Sequence, residues 1–382
     1  MTAYSPPILW GSGCTWGAAA STWGASLTTS GRPNLYVAVE GELQDVRSAS
    51  WRLGRDDWFD VLQPSSGSFG IVGTTTAQPN DDIVVTCDAG LLWYGNVDEV
   101  TETIDLSGTW SNITATDIIG RLGTTAKPMG QVTVGSDTFR WLVYSPDALG
   151  GTLDECAQFL IDSYAPYAAT ITVGDSAGSL PTLPDSWYDP PDVTLLEVLN
   201  VLERSSNAMM ALQPDGSIII VMRDALVAGS VTMTALTGND APFEWNEATS
   251  RSSVINHWVL ERPAYFQTTV LDTTDTDSVL AYGDRTYSVS DYQGTGYTHF
   301  SSALRTALAD PRPRVTGAGI HVRDLSQGAL FLAPLSWITH DGDTWQVMSV
   351  EHSVTPGAEW TVTITADVSQ NAIVGSAEPT PA

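Results

Sequence analysis

Two distant stretches of the chain share one alternating pattern of apolar and polar positions. The first, Asp88 to Asp117, reads DAGLLWYGNVDEVTETIDLSGTWSNITATD, and the second, Asp341 to Asp367, reads DGDTWQVMSVEHSVTPGAEWTVTITAD. Each opens on a turn signal and a Trp (Trp93, Trp345) and crosses a Val-rich run (Val97 and Val100; Val347 and Val350). Each then turns at Ser107-Gly108 or Pro356-Gly357 and returns as a Thr-rich run from a second Trp to Asp (Trp110–Asp117; Trp360–Asp367). Alternate side chains of a strand face opposite sides of its sheet, so this period of two predicts a half-buried hairpin in each place. The repetition predicts two related β-domains with something different between them.

The rest of the pattern supports this division. Residues 1–32 are rich in Gly, Ser and Thr and carry Trp10, Trp16 and Trp23 without periodicity, as expected of an extended arm lying on a neighbour. From residue 33 to about 113, short strands are expected at Leu35–Val39, Val46–Leu53, Phe59–Leu62, Phe69–Val72 and Ile83–Cys87, followed by the first hairpin. Residues 114–230 read as a mixed α/β middle domain. Asp117 is placed to cap a helix at Ile118–Leu122, and Phe139–Tyr144 and Ala169–Val173 read as strands. Thr152-x-x-Glu155 and Thr194-x-x-Glu197 are capping boxes that open helices with apolar faces at Leu153, Cys156, Ala157, Leu160 and at Leu195, Val198, Leu199, Leu202. Pro214-Asp215-Gly216 predicts a turn between two further strands.

From 231 to 370 the chain reads as β again, at Phe243–Trp245, Val254–Leu260, Thr268–Leu271, Tyr287–Val289, Thr316–Val322, Ala329–Leu332 and Leu335–His340. Asp272–Ser278 reads as an acidic loop and His299–Ala309 as a helix; residues 371–382 read as a loose tail. The expected fold class is therefore mainly β with an α+β middle: two related β-barrel-like domains flanking a mixed α/β domain.

Composition narrows the function. Across 382 residues there are 44 acidic and 16 basic residues, a formal net charge of −28. Such a surface repels phosphates and anionic membranes, which argues against sequence-specific nucleic-acid binding. It suits a wall past which DNA slides without sticking. The three cysteines (Cys14, Cys87, Cys156) form no CxxC pair, the first residues lack a secretory pattern, and no apolar run reaches membrane-spanning length. The expectation is a protein folded in a reducing cytoplasm and not inserted in a membrane by this chain. The 14 Trp residues fit core and contact surfaces, or alternatively a glycan platform, for which Trp187 and Tyr188 in a Pro-rich loop are the candidate contacts.

Candidate chemistry adds little. Gly174-Asp175-Ser176-Ala177-Gly178 matches the GxSxG elbow of serine hydrolases, but the Pro-rich run after it does not open the helix that the elbow needs. The five histidines have no metal-ligand spacing, and Asp272–Asp277 lacks the Gly and terminal Glu of a calcium loop. No catalytic, cofactor-binding or metal-binding residue is expected, and no cofactor.

The order of several cues resembles the baseplate hub, or tail-tip hub, proteins of long-tailed bacteriophages. Gly54-Arg55 precedes Leu62-Gln63-Pro64, and the first hairpin runs into Ile113-Thr114-Ala115-Thr116-Asp117. The Thr194–Leu202 helix precedes Asp215-Gly216-Ser217-Ile218, Val254-Ile255-Asn256 opens the second β-domain, and Trp345-Gln346-Val347 and Trp360-Thr361-Val362-Thr363 close it. The resemblance covers roughly residues 33–370. It implies a non-enzymatic virion protein assembled in the host cytoplasm. In that family two tube-like domains per chain let a homotrimer form a pseudo-sixfold ring, which joins the tail tube to the tip and leaves a channel for DNA ejection. The implied partners are the distal tail or tube ring, the tape-measure protein and other tail-tip proteins. The alternative is a phage host-recognition or glycan-binding tail module. The Trp-rich arm departs from the family pattern.

Overall fold

A computed structural model describes residues 33–369, apart from 106–107, 126–129, 144, 146–149, 166–169, 174–181, 184–185, 189–191, 207, 224–232, 263–267 and 294–301. It is mostly β, built on large antiparallel sheets.

The first part comprises β1 (Leu35–Val39), β2 (Glu42–Leu43), β3 (Val46–Gly54), β4 (Ser66–Val72), β5 (Asp82–Cys87), β6 (Gly90–Asp105) and β7 (Gly108–Asp117). Asp117 then caps α1 (Ile118–Thr124), accepting from Ile119 N at 2.9 Å and Gly120 N at 3.3 Å, while its other oxygen accepts from Ser65 N at 2.9 Å. Burial pushes the Asp117 carboxyl up to about 7 against the pull of these donors.

The middle carries β8 (Gly130–Val134), β9 (Asp137–Val143), β10 (Gly151–Thr152), α2 (Leu153–Tyr164), β11 (Ile171–Val173), β12 (Thr182–Leu183), β13 (Ser186–Tyr188), α3 (Leu195–Ser206), β14 (Ala208–Leu212) and β15 (Ile218–Met222). Both capping boxes form: Glu155 accepts from Thr152 N at 2.9 Å, and Glu197 accepts from Thr194 N at 2.5 Å. The apolar faces expected for α2 and α3 are buried, and β14, buried at every residue, pairs with β15 across the Asp215-Gly216 turn.

The last part holds β16 (Met233–Ala235), β17 (Glu244–Ser250), β18 (His257–Arg262), β19 (Thr268–Thr274), α4 (Thr276–Tyr282), β20 (Thr286–Val289), α5 (Ser302–Leu308), β21 (Arg312–His321), β22 (Trp337–His340), β23 (Asp343–Thr355) and β24 (Glu359–Ser369). Three expectations are corrected here. Phe59–Leu62 is a loop, because Trp58 and its neighbours are held by side-chain contacts rather than by a ladder. Ala329–Leu332 falls largely in a 3-10 turn (Gly328–Phe331). The acidic run at 272–278 is the end of β19 and the start of α4, since the Asp275 carboxylate accepts from Ser278 N at 2.9 Å and caps the helix.

Both predicted hairpins form, and the repeat extends beyond them. Neighbouring strands run β3-β4-β7-β6-β5-β1 in one half and β17-β21-β24-β23-β22-β16 in the other. The registers match as well as the order. Val97↔Ala115, Glu99↔Thr114 and Val100↔Ile113 in the first hairpin correspond to Val347↔Ala366, Ser349↔Thr365 and Val350↔Ile364 in the second, with a bulge at the same step. The next ladder agrees, with Phe69↔Ile113 matching Gly317↔Ile364. By this count Trp345 corresponds to Gly95 and Trp360 to Thr109, so the paired tryptophans that suggested the repeat are not its equivalent positions; the valines are. The one difference in sense is at the end of the ladder, where β1 runs antiparallel to β5 but β16 runs parallel to β22.

The two halves are joined edge to edge. On one side β23 pairs with β22 from Asp343 to Gln346, and further along it pairs antiparallel with β3, from Ser349↔Gly54 to Val354↔Ala49. One hydrophobic core cluster runs through both halves and the middle.

Candidate functional site: an interior arginine junction and two open strand edges

Gly54 ends β3 where it crosses β23. Its φ is +109°, and a Cβ there would lie 2.1 Å from the Met348 carbonyl oxygen, so the crossing requires glycine. The chain then enters the 55–65 loop, which carries Arg55 and Trp58 into the interior. Arg55 Nη1 donates to Glu203 Oε1 at 2.8 Å, and the same guanidinium also donates to the Asp60 and Met210 carbonyls. Glu203, fully buried on α3, further accepts from Met210 N at 2.9 Å and Leu62 N at 2.7 Å. This one carboxylate thus ties the loop, the helix and β14 together.

A second layer surrounds Trp58. Its indole donates to Gln346 Oε1 on β23 at 3.1 Å, and its carbonyl accepts from the buried Arg223. Arg223 and Arg312 place their guanidinium carbons 5.7 and 5.4 Å from the Trp58 ring, in the geometry of a cation–π contact. Burial lowers the pKa of both arginines. The Trp58 cluster includes Met209, Val221, Trp258, Leu308, Leu335, Trp337 and Met348, so all three parts of the chain meet there.

Along the β3·β23 seam, Trp51 stacks on His352 with ring centroids 4.7 Å apart, and Trp360 Nε1 donates to His352 Nδ1 at 3.2 Å. Full burial drives the His352 pKa down to about 3, so the ring is a neutral acceptor. Its ring is packed between those of Trp51 and Trp360, which marks it as a structural histidine.

Two strand edges remain open among the described residues. On β6 the outer side is paired only as far as Val97, whose backbone bonds Asn80 and Asp81; Glu99–Asp105 has no partner there. On β17 one side pairs with β21 and the other is free. Exposure follows the pairing. Ala49, Trp51 and Leu53 on β3 are buried, while their counterparts on β17, Trp245, Glu247 and Thr249, are half-buried or exposed. Val350, His352 and Val354 on β23 are buried, while Val100, Glu102 and Ile104 on β6 are not.

Trp187 is buried on β13, paired to Leu142 of β9, and the side chain of Tyr188 and the whole of Gly174–Gly178 lie outside the described residues. No group of three or more His, Cys, Asp or Glu able to hold a metal occurs among the described residues, and no described helix is long and apolar enough to cross a membrane. A groove of about 950 Å³ lies between the start of β1 and the β23–β24 turn, lined by Tyr36, His321, Arg323, Glu359 and Trp360 among others. The junction residues Glu203, Arg223 and Arg312 were not anticipated. The signal for Glu203 was present, since it falls four residues after Leu199 and eight after Leu195, on the apolar stripe of α3.

No family model matches the sequence, and no curated protein matches it. Solved structures do. A tail protein from Neisseria meningitidis MC58 superposes with a TM-score of 0.60 at 12% identity, over 88% of this chain and 96% of that one. The prophage MuSo2 43 kDa tail protein from Shewanella oneidensis gives 0.55 at 13% identity, over 89% and 98%. An E. coli type VI secretion system component, c3393, which exhibits structural similarity to the T4 bacteriophage tail proteins gp27 and gp5, gives 0.50 at 11% identity, over 86% and 76%. The chain therefore has the fold of phage tail proteins and of tail-like secretion components, across nearly the whole length of the two tail proteins.

Proposed function

We propose that this chain is a structural component of a bacteriophage tail tip, a baseplate hub that assembles as a homotrimer. Two β-barrel-like halves per chain, six per ring, match a sixfold tail tube on one side and leave threefold contacts for the tip on the other. The observation that carries this reading is the repeat of strand order and register between the halves, with an edge on each that no other described strand pairs. A chain that joins its own halves edge to edge and keeps the same two edges free is suited to joining copies of itself head to tail, in a heterologous contact that closes by rotation. The fold shared with tail proteins supports the same reading. Burial among the described residues takes three basic side chains (Arg55, Arg223, Arg312) and three acidic ones (Asp117, Glu203, Asp367), so the strong acidic balance of the sequence is carried by the remaining residues, as suits a channel that lets DNA pass. The ring carries no catalysis of its own; it contacts the distal tail or tube ring, the tape-measure protein and further tip proteins in the virion.

Light scattering of the purified chain tests this. A mass of three times the 40.8 kDa of one chain, and a ring with six similar lobes by electron microscopy, are expected. A closed assembly of any other number overturns the hub reading.

A further inference from the structure

The internal seam supplies a template for the contact between copies. In this chain β23 pairs with β3, and the ladder equivalences place Ser349–Val354 on Glu99–Ile104 of β6. The equivalences on the other side run through β4 and β21, where Trp51↔Gly67 corresponds to Glu247↔Val315 and Ala49↔Phe69 to Trp245↔Gly317. They place Ala49–Gly54 on Trp245–Ser250 of β17. We propose that the open edge of β17 pairs antiparallel with the open edge of β6 in a second copy of this chain, in the register Ile104↔Trp245, Thr103↔Asn246, Glu102↔Glu247, Thr101↔Ala248, Val100↔Thr249 and Glu99↔Ser250. This rests on the ring reading and specifies its joint.

An independent observation agrees. Ile104 is 80% exposed and Phe243 is 82% exposed, although both are large and apolar. In the proposed register Ile104 lies opposite Trp245, and Phe243, two residues away on the same face of the strand, is its diagonal neighbour. Cross-strand and diagonal neighbours are within reach of aromatic side chains. The pairing thus covers two of the most exposed apolar side chains together with a half-buried Trp, and it removes two bare edges that otherwise invite uncontrolled strand addition. One feature opposes it: Glu102 faces Glu247 where the internal seam has His352 on Trp51. Like charges directly opposite weaken a ladder. The joint is therefore weaker than the seam that it copies, as fits a contact made after each chain has folded.

The experiment uses the full chain with Cys14→Ser as background; Cys87 and Cys156 are buried. Thr103→Cys and Asn246→Cys are introduced together and oxidised, and the products are sized under denaturing conditions beside light scattering of the native protein. A covalent closed trimer is expected from the double variant and from neither single one. Ile104→Asp and Phe243→Asp, both at exposed sites, are expected to weaken association at least tenfold with unchanged far-UV circular dichroism. Glu247→Lys and Glu102→Lys are each expected to strengthen it, by roughly two- to tenfold, and their combination to return it to the starting value. A trimer that does not cross-link and ignores these substitutions overturns the edge pairing while the ring stands. Cross-links that climb past three in an open ladder keep the pairing and overturn the closed ring. A chain that stays monomeric at millimolar concentration and does not cross-link overturns both.

Discussion

Replacing Glu203 with Ala tests how far the interior junction holds the three parts of the chain together. The carboxylate is fully buried and accepts from one guanidinium and two backbone N–H groups at 2.7 to 2.9 Å. Breaking a buried ion pair by removing one partner costs about 3–5 kcal/mol, and each buried donor left without an acceptor costs about 1–3 kcal/mol. These overlap, because Arg55 keeps the Asp60 and Met210 carbonyls. The net loss is set at about 4 kcal/mol, roughly a thousandfold in the folding equilibrium. Glu203→Gln keeps the shape and an acceptor oxygen but removes the charge, and is expected to lose about half as much. Arg55→Met with Glu203→Leu removes both charges and is expected to be more stable than Glu203→Ala alone. Urea unfolding followed by Trp fluorescence measures all three. A loss below about 1 kcal/mol for Glu203→Ala, or a double variant no better than the single, refutes the view that this pair is the interior tie.

Three further outcomes follow from the seam and the middle. Gly54→Ala puts a Cβ against the Met348 carbonyl and is expected to cost at least about 2 kcal/mol by thermal unfolding; a silent substitution means that the crossing relaxes freely. His352 has a folded pKa of about 3 against roughly 6.5 when unfolded, so the unfolded chain takes up the proton first as pH falls. Its contribution is complete above pH 6.5 and is lost between there and pH 3, about 2 kcal/mol by pH 5; Asp117, with a folded pKa of about 7, slopes the opposite way, losing its contribution as pH rises toward 7. His352→Phe, which keeps the Trp51 stack, is expected to flatten the acid limb of a pH–stability curve, and an unchanged limb contradicts the assignment. Trp187→Ala is expected to act through the core, costing about 3–5 kcal/mol; a stable variant that loses binding to host wall fragments instead restores the glycan-binding alternative.

Much of the fold was legible because it obeys local rules. Period-two alternation marked both hairpins, and the two capping boxes and the Asp-Gly turn fixed α2, α3 and the β14–β15 hairpin. The alignment within the repeat was misjudged where bulky side chains were matched in place of ladder positions. A tryptophan fills whatever space its own half offers, whereas the bulge after Val97 and Val347 is a backbone feature common to both. Phe59–Leu62 looked like a strand since apolarity does not distinguish a ladder from a loop whose polar groups are satisfied by Arg55, Glu203 and Arg223. The junction itself was hidden because a Glu beside Leu202 in an amphipathic helix reads as solvated unless its position on the apolar stripe is counted. The open edges could not be read at all, since an unpaired strand is defined by what the rest of the chain fails to cover.

The β3·β23 seam also sets the timetable of folding. Val354 pairs with Ala49 and Ser349 with Gly54, so the partner of β3 is made long after β3 itself. At bacterial or similar rates of about 5–20 residues per second, roughly 300 residues separate the emergence of β3 from that of β23, an interval of about 15–60 s. Throughout that time Trp51 and Leu53 sit on an edge with no cover. Such long-range closure is slow in itself, and the waiting edge can accept the wrong strand from a neighbouring nascent chain. At Gly54 the missing Cβ leaves room for the Met348 carbonyl, so the crossing can close without a clash once β23 arrives.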